Sequence, residues 1–91
     1  MNSEELEELK QEADNGGLSA MNELAEHYRD REYPYLEYKY VQMAAEHGDI
    51  EAARVFSIMN FHGIGCYEDN ELAMLWHEVY KNKLTKIGAL K

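Results

Sequence analysis

Apolar residues recur every three to four positions through most of the chain, the spacing of a single helical face. Leu6, Leu9 and Ala13 form a narrow stripe over residues 3–14, and Ala20, Met21, Leu24, Ala25 and Tyr28 a broader one over 18–29. Leu36, Tyr40, Val41, Met43 and Ala44 mark a third helix over 34–47, and Ala52, Ala53, Val55, Phe56 and Met59 a fourth over 50–62. Leu72, Ala73, Leu75, Trp76, Val79 and Tyr80 mark a fifth, from Glu68 or Asp69 to Asn82. Leu84, Ile87 and Leu90 follow at spacing three, as a sixth short helix or as a tail. The stops between these stripes have physical causes. Gly16-Gly17, Gly48 and Gly63-Ile64-Gly65 release the backbone at three helix ends. Ser3 and Asp49 are expected N-caps, Glu4 and Glu5 suit a positive helix start, and Pro34 is harmless in a first turn. No stretch alternates with period two long enough to make a strand. Short connections make consecutive helices antiparallel neighbours.

The segment Gly48 to Tyr80 has a distinctive layout. Gly48 and Ala52 open it, Phe56-Ser57 follow, then Gly63-Ile64-Gly65-Cys66, then Asp69, Ala73 and Trp76. This arrangement resembles the Sel-one-like repeat, a helical-pair unit related to the tetratricopeptide repeat. Phe56 stands where the family has Leu, Ser57 where it has Gly, Cys66 where it has Val, and Asn60 departs from its Tyr. A degenerate copy precedes it. Gly16, Ala20, Leu24, Ala25 and Tyr28 take the first-helix positions, and Glu37, Tyr40 and Ala44-Ala45 the later ones, without the glycine loop. The resemblance implies an all-α fold, a short right-handed α-solenoid of antiparallel helix pairs with five to six helices in one domain. Residues 16–47 are then a degenerate repeat and 48–81 a full one. Residues 3–14 cap the N-terminal end, and 82–91 form a C-terminal cap or tail. Trp76 and Tyr40 are expected in the core.

Charge narrows the function classes. The chain of 91 residues has a net charge of −9, and all 18 carboxylates lie within residues 1–80. The last eleven residues carry four Lys and no acid. Such a body repels nucleic acid and anionic membrane and favours a basic protein. The acidic run Glu4-Glu5-Leu6-Glu7-Glu8 reads first as a solvated helix face. One cysteine, Cys66, excludes an internal disulfide framework. The acidic start does not resemble a secretory leader, and no segment approaches the ~20 apolar residues of a membrane span. The expected location is cytoplasmic.

Catalytic and metal chemistry find little support. His62, Cys66 and His77 lack the paired spacing of a zinc site, and His47 sits where a helix C-terminus favours a cation anyway. Cys66 has no evident base with a third, orienting group, and Gly63-x-Gly65 lacks the lysine and the strand-to-helix context of a phosphate loop. The expectation is therefore a non-enzymatic protein with no cofactor that binds another protein, basic in character. In repeat solenoids the first helix of each unit commonly lines the binding face. That singles out Asn22, Glu26 and Arg29 in the degenerate unit and Glu51, Arg54, Ile58, Phe61 and His62 in the full one. Ile58 and Phe61 stand out as apolar residues where a solvated face should be polar, unless Leu84, Ile87 or Leu90 folds back over them. Tyr33 and Tyr35, flanking Pro34, form a second aromatic pair. Within the resemblance, small acidic proteins of this kind look like bacterial immunity proteins that block a toxin. A mimic of nucleic acid that occupies an enzyme's binding groove is the alternative, and a homodimer would complete a stack this short.

Overall fold

The computed structural model describes residues 1–88. Five helices follow one another: α1 (Ser3–Asp14), α2 (Leu18–Asp30), α3 (Pro34–Glu46), α4 (Ile50–His62) and α5 (Asn70–Lys86). Among the described residues there is no strand. Each helix packs chiefly on its neighbours in the chain, α1 on α2, α2 on α3, α3 on α4 and α4 on α5. The result is an extended all-α stack measuring 44 × 28 × 19 Å.

Local chemistry sets the ends of these helices. Asp49 accepts a hydrogen bond from the Ala52 N–H at 2.8 Å, and Asp69 one from the Leu72 N–H at 2.9 Å, so both act as N-caps. The cap of α1 is Asn2, not Ser3; its Oδ1 accepts from the Glu5 N–H at 2.8 Å and moves Ser3 into the first turn. Pro34 opens α3 without a side-chain cap. The linker before it turns at Glu32, which takes a left-handed φ of 60° where the later linker uses glycines.

The core contains mostly small residues at the helix contacts and a few large ones between them. Ala20, Ala25, Ala44, Ala45, Ala52, Ala53 and Ala73 are all buried, which lets the helix axes approach closely. Met21, Leu24 and Phe56 fill the remaining space and are almost wholly buried, each worth about 1.5–3 kcal/mol. Aromatic contacts cross the stack. Tyr28 of α2 stacks on Tyr40 of α3 at 5.9 Å, Tyr38 of α3 meets Phe56 of α4 at 5.1 Å, and Phe56 meets Trp76 of α5 edge-on at 5.3 Å. Tyr40 is buried as the pattern predicts, but Trp76 is only half-buried, because no sixth helix covers its outer side among the described residues.

Two more features depart from the sequence reading. Leu75, assigned to the inner face of the fifth helix, is exposed. The fifth helix also runs four residues past Asn82, so residues 83–86 continue it and do not form a separate cap. Lys83 and Lys86 in its last turn suit the negative end of the helix dipole, and Thr85 bonds back to the Lys81 carbonyl at 3.0 Å. The expectation for a cap or tail at 89–91, including Leu90, lies outside the described residues.

Candidate functional site

The loop of residues 63–69 positions α5 against α4 and itself rests on Pro34 and Tyr38 of α3. Gly63 ends α4 in the left-handed conformation. The Ile64 N–H then donates to the Met59 carbonyl at 2.9 Å, and the Asp69 N–H to the Asn60 carbonyl at 2.8 Å. Asn60, which departs from the resembled family's Tyr, is buried at the centre of this arrangement. Its Nδ2 donates to the Phe56 carbonyl at 2.8 Å, and its Oδ1 accepts from the Tyr38 hydroxyl at 2.9 Å. Cys66 turns its thiol toward the Met59 carbonyl and Asn60 Oδ1, at 3.5 and 3.8 Å. Burial pushes the Cys66 thiol above its ordinary value, which disfavours the nucleophilic thiolate. Among the described residues no three His, Cys, Asp or Glu side chains converge to hold a metal ion.

Seating α5 this way opens a cleft of about 340 Å³ between α4 and α5. Its floor is Ser57 and Ala73, both buried, and the Ser57 hydroxyl is satisfied by the Arg54 carbonyl at 2.8 Å. Ile58, Phe61 and His62 form the α4 wall, and Met74, His77 and Glu78 the α5 wall. Ile58 and Phe61 are 39% and 55% exposed, so Leu84 and Ile87 do not fold back over them: Leu84 is half-buried within α5, and Ile87 is itself exposed. The Phe61 ring is braced edge-on by His62 at 5.0 Å.

The remaining candidates fall in other places. Asn22, Glu26, Arg29 and Glu51 do converge, around a cleft of about 290 Å³ between α2 and α4 with Val41 as part of its floor. Two of its charges, Arg29 and Glu51, are already paired. Arg29 bonds Glu37, a largely buried carboxylate of α3, at 2.8 Å. Arg54 grips Glu51 through two hydrogen bonds of 2.6 and 2.9 Å, which hold the Glu51 carboxyl below its usual value. Tyr33 and Tyr35 are both exposed but do not form one patch. Tyr33 leans edge-on against Tyr28 at 6.4 Å, whereas Tyr35 lines a cleft of about 660 Å³ with Tyr38, Lys39, Cys66 and Tyr67. They separate because Pro34 lies between them, where the linker turns into the helix.

Sequence reasoning missed Met74, His77 and Glu78 as walls of the first cleft. Met74 lies a full turn before Glu78 and one position from Leu75, so a finer helical phase for residues 70–86 would have placed it outward. No helix among the described residues is long and apolar enough to cross a membrane. No known family model, curated protein or solved structure matches the chain.

Proposed function

We propose that this protein is a non-enzymatic interaction module that binds a basic protein, and that the cleft between α4 and α5 receives the partner's apolar anchor. One observation carries this reading: Ile58, Phe61 and Met74 are exposed around a cleft with a buried, hydrogen-bond-satisfied floor. An apolar centre with a rim of His62, His77 and Glu78 has the composition of an interface core and its border. The net charge of −9 favours encounter with a basic surface and makes the association sensitive to salt. In this reading α2–α3 and α4–α5 are a degenerate and a full Sel-one-like unit. The module acts as a small adaptor or inhibitor in the cytoplasm, in the manner of an immunity protein that blocks a toxin.

The test is affinity capture from source cells with tagged wild-type protein and Phe61→Glu, read by mass spectrometry and followed by direct titration of the captured protein. The expected result is one basic protein held by the wild type and weakened by at least about 2 kcal/mol, roughly thirtyfold in Kd, in the variant. Equal binding by both refutes the cleft. A second reading, mimicry of nucleic acid, draws on the exposed carboxylates of α1, Glu4, Glu5, Glu7, Glu8 and Glu12. It predicts capture of several nucleic-acid-binding proteins, indifferent to Phe61→Glu and displaced by DNA.

A further inference from the structure

The two ends of the stack differ in character. The outer face of α1 is polar, with Glu4, Glu5, Glu7, Glu8, Gln11 and Glu12 all exposed. At the other end, α5 packs chiefly on α4 and turns outward a stripe of Glu71, Met74, Leu75, Glu78, Lys81 and Asn82. Met74 and Leu75 in this stripe are 70% and 59% exposed. A stacked-helix protein needs polar terminal faces to stay free in water, and the first half of α5 does not provide one.

Charge indicates what fits there. The first 69 residues hold sixteen carboxylates against five Lys and Arg, whereas α5 holds two against three. A second copy of so acidic a chain is repelled least along α5. The helix is also polarised, with Asp69 and Glu71 at its start and Lys81, Lys83 and Lys86 in its last turns. Antiparallel packing of two such helices about a two-fold axis sets each end against its opposite. We propose that two copies of this chain associate through α5, antiparallel about an axis beside Trp76 and His77. Leu75 centres the seam, with Met74, which also walls the α4–α5 cleft, at its edge, and Glu71 of each copy faces Lys81 of the other. The ten exposed residues of α5 are fewer than the roughly 20–30 a side of a standard interface, so the dimer is weak, with a dissociation constant on the order of 100 µM.

Leu75 lines none of the clefts described above, so its substitution separates self-association from partner capture. Sedimentation equilibrium of the full chain over roughly 10–500 µM, spanning that dissociation constant, is expected to show a mass rising from 10.6 kDa toward twice that value. Leu75→Glu is expected to remain at the lower mass, with unchanged helical circular dichroism and unchanged capture of the basic partner. Glu71→Lys and Lys81→Glu are each expected to weaken the dimer by up to about fivefold, and their combination to restore it. A wild type that stays monomeric throughout overturns the proposal. So does a dimer that survives Leu75→Glu, or one lost in Phe61→Glu while Leu75→Glu retains it. Failure of the double charge reversal to restore association overturns the antiparallel arrangement.

Discussion

Gly65→Ala is the substitution that most directly tests how the α4–α5 cleft is held open. Gly65 has a φ of +73°, and a Cβ built on it would lie 2.2 Å from the Pro34 carbonyl oxygen, 2.7 Å from that carbonyl carbon and 3.0 Å from Tyr38 Cβ. The left-handed backbone alone costs about 1–2 kcal/mol for alanine. The contact with Pro34 is backbone against backbone, so no side-chain rotation relieves it. The loop must lift, at an overpacking cost of about 1–3 kcal/mol, and strain the bonds from Ile64 and Asp69 to the end of α4. The expected loss is about 2–5 kcal/mol out of the ~5–14 kcal/mol typical of a domain this size. Gly48→Ala is the internal control. Its φ is +95°, but its nearest neighbour is the flexible tip of Lys83 at 3.8 Å, so it should lose only the backbone part. Thermal melting should separate the two variants by at least about 4 °C. Equal losses would refute the seating of the loop on α3, and with it the origin of the cleft.

Three other outcomes are expected. Phe56→Ala should cost about 3–5 kcal/mol, and Trp76→Ala, half-buried and bearing on Phe56 by its edge, about 2–3 kcal/mol; equal losses in denaturant titration would contradict that exposure. A double-mutant cycle of Tyr38→Phe and Asn60→Ala should yield a coupling of about 0.5–1.5 kcal/mol, and a coupling of zero would remove the bond from the account of the α3–α4 contact. Stability should fall at both pH extremes. Cys66 and Tyr38 are raised by burial above 9.0 and 10.0, so the unfolded chain loses these protons first and stability declines as pH rises past about 9, less so in Cys66→Ala. His27 is lowered from 6.5 by burial and by the Arg31 charge, so the unfolded chain binds its proton first and stability declines as pH falls below that value. An alkaline limb identical in Cys66→Ala and wild type would exclude the thiol as its source.

The helices were legible in the sequence because their causes are local. Apolar spacing, Asp49 and Asp69 as caps, Pro34 at a first turn and Gly63 after α4 each act within a few residues, and the helices form at those places. Ile58 and Phe61 were legible as surface residues because they break the polar pattern of their own face. Much of the site depends on contacts between distant segments. Whether Trp76 is covered, and whether Leu75 turns inward, depends on a neighbour for α5 that one helix's periodicity does not reveal. The role of Asn60 needed Tyr38, 22 residues away, and the parting of Tyr33 from Tyr35 needed Tyr28 on one side and Tyr67 on the other. A periodic sequence determines which side of each helix is apolar. Only the packing of helix on helix decides how much of that side is buried, because burial belongs to pairs of surfaces and not to either one alone.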